Sequence, residues 1–203
     1  MKSLPLTPEI LVAAYSQGGS PLDVDGAIQW FSPDPRAIIE LDQFHVSKTL
    51  AQTVRQGRFD VRIDTAFEQV MQHCGDRWEG TWISDEIIDA YTQLHRLGAA
   101  HSVECWHEGE LAGGLYGVAL GAAFFGESMF TRQRDASKVA LVALVDRMKA
   151  RGFSLLDIQF ITPHLERFGG VEIPRTEYLD RLSEALKMNV RFKEDRSNPE
   201  VNS

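Results

Sequence analysis

The stretch Ala122-Ala123-Phe124-Phe125-Gly126-Glu127-Ser128-Met129-Phe130 places a carboxylate and a hydroxyl directly after an apolar run. The apolar run predicts a buried strand over residues 122–127, and a basic turn then leads into a helical segment over 136–151. A carboxylate at the mouth of a buried strand costs free energy unless it meets a ligand or a hydrogen-bonding partner. Glu127 is therefore either a satisfied strand-end carboxylate or part of a binding site.

A second polar pair, Asp157 and Gln159, lies in the segment 155–160, which reads Leu-Leu-Asp-Ile-Gln-Phe. Alternation along a strand predicts that both polar side chains lie on one face and that the apolar residues next to them lie on the other. Two strand ends that offer Glu127, Asp157 and Gln159 predict one polar site. The alternative is that Asp157 and Gln159 only close a hydrogen-bond network at the edge of a strand.

The composition is that of a globular protein, with 43% hydrophobic and 25% charged residues in a chain of 203. No apolar run is long enough for a membrane span, and the first six residues do not resemble a signal peptide, so we expect neither. The two cysteines, Cys74 and Cys105, lack metal or redox spacing, and the six histidines form no ligand pattern. We expect no metal site and a reducing, cytoplasmic setting.

The net charge of −8 argues against indiscriminate nucleic-acid binding, but the basic residues are unevenly distributed. They are concentrated in residues 47–62 and 130–151, and the candidates for binding an anion are Lys48, Arg55, Arg58, Arg62, Arg132 and Arg134. Such basic strips are either solvated faces of the protein or a binding surface for a polyanion.

Local signals predict the elements of most of the chain. Capping residues and helical periodicity predict helices over 8–17, 47–57, 65–74, 85–97 and 136–151, and two more that begin at Pro163 and Pro174. Alternation and turn residues predict a loop over 18–26 and strands over 27–31, 37–41, 59–63, 101–106, 111–119, 122–127 and 155–160. We therefore predict an α+β fold with a small N-terminal lobe (1–60), a larger domain (61–190) and a C-terminal tail (191–203).

The order of helix, antiparallel meander, helix, strand and helix is similar to the core of the GNAT acyltransferases. In that fold neighbouring strands separate to hold an acyl donor, and members that use coenzyme A carry a glycine-containing loop whose amides bind the pyrophosphate. The corresponding residues, 131–138, read Thr-Arg-Gln-Arg-Asp-Ala-Ser-Lys and contain no glycine. The resemblance implies a GNAT acyltransferase-like core that does not use coenzyme A, and no other cofactor is indicated.

Seven short motifs resemble a narrower family, the leucyl/phenylalanyl-tRNA–protein transferases. In the family's order they are Trp-Phe-Ser-Pro-Asp-Pro-Arg (30–36), Glu-Gly-Thr-Trp-Ile (79–83), His-Ser-Val-Glu-Cys-Trp (101–106), Gly-Gly-Leu-Tyr-Gly (113–117), Gly-Glu-Ser-Met-Phe (126–130), Ala-Ser-Lys (136–138) and Ile-Pro-Arg-x-x-Tyr-Leu (173–179). The resemblance runs from residue 7 to residue 186. One departure follows residues 15–18, where the family usually continues with an aromatic residue and a proline and this chain has Gly19-Ser20-Pro21-Leu22.

The resemblance implies an enzyme that moves Leu, Phe or Met from aminoacyl-tRNA to an N-terminal Arg or Lys of an acceptor protein. The product is a signal for bacterial N-end-rule degradation. Nothing in the sequence indicates a partner subunit, so we expect a monomer. Two other hypotheses stay open: a coenzyme A-dependent N-acetyltransferase, and a non-catalytic binder of protein N-termini.

The resemblance also implies roles for the polar residues. Asp157 would orient the acceptor amine and take up its proton, directly or through a water or the terminal ribose. Gln159 would bind the acceptor or the tetrahedral oxyanion, and Glu127 would hold the cationic end of the acceptor.

The remaining implied contacts concern the donor. The apolar pocket for its side chain is assigned to Leu115, Phe124, Leu144 and Met148. By periodicity alone these four residues are ordinary core. Phe31 and Trp106 are candidates to stack on the terminal adenosine, and the six basic residues named above would meet tRNA phosphates.

Overall fold

The computed structural model of the 203-residue chain describes residues 6–76 and 81–193. Within these ranges the helices are α1 (Pro8–Tyr15), α2 (Lys48–Arg55), α3 (Phe67–Gly75), α4 (Asp85–Arg96), α5 (Ala136–Arg151), α6 (Pro163–Glu166) and α7 (Arg175–Lys187). The strands are β1 (Ser20–Val24), β2 (Ala27–Phe31), β3 (Arg36–Ile39), β4 (Asp60–Ile63), β5 (Ala100–His107), β6 (Glu110–Leu120), β7 (Ala123–Thr131), β8 (Leu155–Gln159) and β9 (Gly170–Ile173).

Most strands form one mixed sheet with the order β4-β5-β6-β7-β8-β3-β9. Strands β7 and β8 are parallel and are connected through α5, whereas the other neighbours are antiparallel. The predicted turn at Glu108 and Gly109 joins β5 to β6, and both residues have the positive φ that a two-residue hairpin turn requires (52° and 83°). The predicted α+β class, with a meander, a helix and a further strand, is confirmed.

Helices cover both faces of this sheet. One apolar cluster lies between the sheet and helices α1, α3, α4 and α7, and includes Leu11, Val70, Tyr91 and Leu182. The other cluster lies between the sheet and α5, which is buried along most of its length and ends, as predicted, at Gly152. Among the described helices, none has both the length and the apolar character needed to cross a membrane.

The N-terminal segment contains a hairpin where a loop was predicted. Strands β1 and β2 pair in antiparallel register around Asp25 and Gly26, which have φ angles of 53° and 78°. The prediction of a loop over 18–26 is wrong because Asp-Gly between two extended segments is itself a hairpin turn.

The large sheet takes one strand from the N-terminal segment. Strand β3, predicted over 37–41, runs from Arg36 to Ile39 and lies between β8 and β9. The predicted lobe over 1–60 stays a prediction, although this strand joins that segment to the sheet. Phe192, in the predicted tail, is buried against Phe124 and Phe153, and residues 194–203 lie outside the described part of the chain.

The start of α3 is stabilised from another element. A capping box was predicted from Thr65 and Glu68, but α3 begins at Phe67 without a side-chain cap of that kind. The buried carboxylate of Glu104 on β5 instead accepts hydrogen bonds from the backbone N–H groups of Thr65 and Ala66 (2.9 and 3.0 Å). A tertiary contact therefore replaces the local one.

Strands β7 and β8 pair over a short distance and then separate. The paired positions are Ala123 with Leu155, Phe124 with Leu156, and Phe125 with Asp157. Strand β7 continues to Thr131, so the predicted strand end at residue 127 is wrong. The polar residues therefore lie where two strands diverge, not where a strand ends.

A β-bulge on β7 determines the position of Glu127. Gly126 faces Gly117 of β6 and Ser128 faces Tyr116, so Glu127 is the extra residue between two paired positions. A bulge bends the strand and redirects the extra side chain. Glu127 thus owes its direction to the bulge.

A second irregularity lies on β8 at the same level. Asp157 faces Ile38 of β3 and Gln159 faces Ala37, which leaves Ile158 as an extra residue. Gln159 also has a left-handed φ of 62°. The alternation predicted along this strand is therefore broken between Asp157 and Gln159.

We predict that Gly117→Ala destabilises the protein by about 2 kcal/mol, because an added Cβ would overlap the carbonyl oxygen of Phe125 and the ring of Phe124. Urea unfolding followed by circular dichroism measures the effect. The matched control is Gly75→Ala, whose Cβ would lie 3.6 Å from Ile83, an ordinary contact. Equal unfolding midpoints for the two variants would contradict the tight packing at Gly117.

Candidate active site

A cavity of about 460 Å³ opens where β7 and β8 separate. Most of its wall is apolar. Leu115, Leu141, Leu144 and Leu156 belong to the cluster beneath α5, whereas Tyr116 belongs to the cluster on the opposite face. The cavity therefore connects the two faces of the sheet through the gap between the strands.

Two of the three predicted polar residues, Glu127 and Gln159, line this cavity together. The amide Nε2 of Gln159 donates a hydrogen bond to Oε1 of Glu127 (2.8 Å). The other oxygen of Glu127, Oε2, is buried and has no hydrogen-bond partner among the described residues. In residues 6–76 and 81–193 no group of His, Cys, Asp and Glu side chains is arranged to hold a metal ion.

The surroundings of Glu127 favour its protonated form. Burial raises the pKa of Glu127 to about 8, and the negative charge of Asp157 acts in the same direction. The Tyr15 hydroxyl, the Arg36 charge and the Gln159 amide oppose this rise in pKa without cancelling it. Glu127 therefore holds its proton far more tightly than an exposed glutamate.

Asp157 is completely buried, and it is not part of the cavity wall. Its Oδ1 accepts hydrogen bonds from Nε of Arg36 (2.9 Å) and from the backbone N–H of Gln159 (2.8 Å). Its Oδ2 accepts from Nη2 of Arg36 (2.5 Å) and from the Tyr178 hydroxyl (2.7 Å). Four donors occupy the lone pairs of the carboxylate. Asp157 and Gln159 are adjacent as predicted, but only Gln159 faces the cavity.

The partner of Asp157, Arg36, is also completely buried. Its Nη1 donates to the carbonyl oxygen of Gly18 (2.9 Å), and its guanidinium lies 4.6 Å from the centre of the Tyr178 ring. Burial alone would lower the pKa of Arg36, but the hydrogen bonds and charge of Asp157 raise it above its usual value. The ionised pair thus joins the N-terminal segment, β3, β8 and α7.

The residues predicted for the donor side-chain pocket divide into two groups. Leu115 and Leu144 line the cavity. Phe124 and Met148 are fully buried in the neighbouring core and are not in the cavity wall, and the ring of Phe124 packs 5.1 Å from that of Phe192. Periodicity places Leu144 and Met148 on one helix face, but it does not show where along the helix the cavity ends.

Trp82 and Leu22 are among the residues of the cavity wall that sequence reasoning did not assign. The backbone N–H of Asp23 donates to the carbonyl oxygen of Trp82 (3.3 Å), which joins their two segments. The sequence does contain a signal for a functional role of Trp82, because this residue lies in the motif at 79–83. Residues 79 and 80 of that motif lie outside the described residues.

The two aromatic residues predicted to stack on adenosine lie away from the cavity wall. Trp106 is partly buried on β5, where its indole N–H donates to Glu104 (3.4 Å) and the Arg62 guanidinium lies 4.8 Å from its ring. Phe31 is partly buried in the hairpin of β1 and β2.

Comparison with known proteins identifies the family. The family model for leucyl/phenylalanyl-tRNA protein transferase matches residues 38–183. The chain belongs to the leucyl/phenylalanyl-tRNA–protein transferase family. It is 57% identical over 188 residues to the transferase of Herpetosiphon aurantiacus, and 58% identical over 189 residues to that of Rubrobacter xylanophilus. Each alignment covers 92% of this chain and 98% of the relative.

Solved structures with a similar arrangement are more distant from this transferase. The C-terminal domain of a putative lysylphosphatidylglycerol synthetase from Agrobacterium fabrum superposes with a TM-score of 0.44 at 11% identity. This match covers 87% of the present chain and 62% of the synthetase chain. The aminoglycoside N-acetyltransferase AAC(6')-Iy superposes with a TM-score of 0.38 at 17% identity. This match covers 68% of the present chain and 95% of the acetyltransferase.

All six basic residues predicted to contact tRNA are exposed on this transferase. Lys48 and Arg55 lie at the two ends of α2. Arg58 contacts the side chain of Gln133 (3.5 Å), which brings it to the turn that carries Arg132 and Arg134. The remaining residue, Arg62, pairs with its neighbour Asp60.

We predict that Arg36→Met lowers the free energy of unfolding by about 3–5 kcal/mol, because Asp157 then remains as a buried charge without a counter-charge. Adding Asp157→Asn should recover part of that loss. The control is Arg181→Met, since Arg181 pairs with Glu40 at 2.6 Å but is 38% exposed and should lose less than about 1 kcal/mol. Urea unfolding of the variants tests this prediction, and equal losses at Arg36 and Arg181 would refute it.

Proposed function

We propose that this transferase moves Leu, Phe or Met from aminoacyl-tRNA to the N-terminal Arg or Lys of an acceptor protein, and so marks it for N-end-rule degradation. The observation that carries the proposal is the cavity between β7 and β8, in which an apolar chamber meets a buried carboxylate. An apolar chamber suits the donor side chain, and a carboxylate suits a cationic acceptor.

The donor side chain occupies the part of the cavity beneath α5. Leu115, Leu141, Leu144 and Leu156 form its wall and offer no polar side chain. Leu, Phe and Met gain free energy from burial there because their side chains are apolar. A charged or strongly polar side chain would lose its hydration without a partner.

The terminal adenosine of the donor stacks on Trp82. An indole at the cavity wall offers a flat face that accepts any base, and the tRNA terminus must bring its base close to the ester. The exposed Lys48, Arg55, Arg58, Arg62, Arg132 and Arg134 then contact tRNA phosphates without reading sequence. In this arrangement the basic surface provides affinity for tRNA, and the cavity orients its aminoacylated end.

The reaction is the attack of an α-amine on the ester carbonyl of the donor. A free α-amine has a pKa near 8, so a useful neutral fraction exists at neutral pH and placement of the amine accounts for much of the acceleration. Gln159 lies in the cavity, where its amide binds the acceptor or the developing oxyanion. Asp157 acts through Gln159, whose backbone N–H it holds, and is a positioning residue.

The alternative of a coenzyme A-dependent acetyltransferase is disfavoured by the start of α5. Asp135 stands at the N-cap of this helix, where its carboxylate pairs with Lys138 (2.7 Å). A pyrophosphate bound to the helix N-terminus would face that negative charge. A non-catalytic binder of N-termini is disfavoured by the apolar chamber, which such a protein would not need.

We predict that Trp82→Ala weakens binding of puromycin, an aminoacyl-adenosine analogue, about tenfold, since loss of base stacking costs about 1–3 kcal/mol. Trp106→Ala serves as the comparison because Trp106 lies outside the cavity wall. Dissociation constants of puromycin, measured by calorimetry for both variants, test this prediction. A larger loss for Trp106→Ala would place the adenosine at Trp106 instead.

The decisive experiment is transfer of labelled Leu or Phe from charged tRNA to peptides that differ only in their first residue: Arg, Lys, Asp or Ala. We expect product on the Arg and Lys peptides alone, because Glu127 favours a cationic side chain. Product on the Asp peptide would overturn the acceptor assignment but keep the reaction class. No product on any peptide, with the protein folded and tRNA bound, would overturn the proposed function.

A further inference from the structure

The polar cluster around Glu127 contains more acid than base. Among residues 6–76 and 81–193, Arg36 is the cation that faces the two carboxylates of this cluster, Asp157 and Glu127. Both of its hydrogen bonds to a carboxylate go to Asp157, at 2.9 and 2.5 Å. If both acids were ionised, the buried cluster would carry a net negative charge, which is costly in a medium of low dielectric constant.

The neutral groups around Glu127 do not supply the missing positive charge. Tyr15 of α1 and Tyr91 of α4 share a hydrogen bond and interact with Glu127, and Gln159 donates its amide proton to Oε1. Tyr178 of α7 donates its hydroxyl to Asp157. Since burial raises the pKa of all three tyrosines above the usual value, these groups stay neutral at physiological pH.

Asp157 already accepts four hydrogen bonds, whereas Oε2 of Glu127 has no partner among the described residues. The geometry therefore assigns to Glu127 the proton that would neutralise one of the two carboxylates. We propose that Glu127 is protonated in the free enzyme and releases this proton when the cationic first side chain of an acceptor binds. The inference rests on the proposed function, since it takes the acceptor to be cationic.

The exchange leaves every bond of the acceptor unchanged. The O–H bond of the Glu127 carboxylic acid breaks, the proton passes to solvent, and the resulting carboxylate pairs with the guanidinium or ammonium group of the acceptor. The cluster then holds two cations and two carboxylates. An acceptor with an uncharged first side chain leaves Glu127 protonated, so only a cationic acceptor releases the proton.

Proton release makes acceptor affinity depend on pH with a defined sign. With a pKa of about 8 for Glu127, binding below that pH must displace a proton and weakens as the solution becomes more acidic. The dissociation constant should rise about tenfold between pH 7 and pH 6, and should be almost constant above pH 9.

The acceptor's own α-amine titrates in the same range, so the test uses a ligand that lacks it. A peptide whose first residue is replaced by a 5-guanidinopentanoyl group keeps the cationic side chain and cannot react. Calorimetry at pH 7 in phosphate and in Tris measures proton release, because the two buffers have different ionisation enthalpies. We expect about one proton released per bound peptide, and the tenfold change in dissociation constant between pH 7 and pH 6.

Two variants complete this test. Glu127→Gln should release no proton and lose the pH dependence of binding, whereas Glu184→Gln, a surface change at a side chain that is 75% exposed, should behave as wild type. Wild-type binding without proton release at pH 7 would overturn the proposal. The proposed function would stand in that case, as long as Arg and Lys peptides remain the preferred acceptors in the transfer assay.

Thermal unfolding without any ligand gives an independent measurement. Between the pKa of an unfolded glutamate, near 4, and the folded value of about 8, the folded state holds one proton more than the unfolded state. Stability should therefore fall as the pH rises from 5 to 8, and this fall should be smaller in Glu127→Gln. Parallel pH curves for the two proteins would also overturn the proposal.

Discussion

The rest of the site depends on the ion pair between Arg36 and Asp157. The pair is completely buried and its three further partners, Gly18, Gln159 and Tyr178, come from three different parts of the chain. A buried pair of this kind adds little net stability compared with a well-packed apolar core, because desolvation of both charges offsets their attraction. Its hydrogen bonds connect β3, β8 and α7 and hold the backbone N–H of Gln159.

The cavity forms next to this ion pair, where strands β7 and β8 separate. Pairing of β7 and β8 stops at Phe125 and Asp157, and each strand then accommodates one extra residue. At β7 the extra residue is Glu127, and at β8 it is Ile158, which lines the cavity. Because both irregularities occur at the same level, the strands diverge and a polar pair, Glu127 and Gln159, spans the gap. The open space and its polar end thus have one structural origin.

Sequence reasoning predicted the fold well where local signals are strong. The Glu108-Gly109 turn and the Gly152 helix end both appear as predicted, since glycine at positive φ is a local requirement. Reasoning from buried charge also selected Glu127, Asp157 and Gln159 correctly as neighbours.

What failed depends on tertiary structure. Alternation predicted that Asp157 and Gln159 lie on one face of the strand. A bulge at Ile158 breaks the alternation, and no local sequence pattern predicts such a bulge. Arg36 was quoted only within the motif at 30–36, because no local pattern there indicates a buried charge, and only the folded sheet places it next to Asp157. The resemblance assigned Phe124 and Met148 to the donor pocket, whereas both lie in the core next to the cavity, as periodicity alone indicates.

The segment in which this chain departs from the family pattern reaches the cavity wall at one residue. Leu22, the last residue of the departing segment Gly19-Ser20-Pro21-Leu22, lines the cavity together with Trp82. One aromatic face contributes about 1–3 kcal/mol to holding a base, and an aliphatic side chain in the same wall supplies contact without stacking. A single stacking face tolerates rotation of the adenosine that two faces would resist. With the adenosine at Trp82 as proposed, we infer that the apolar chamber, which holds the donor side chain, contributes more to the alignment of the ester than the base does.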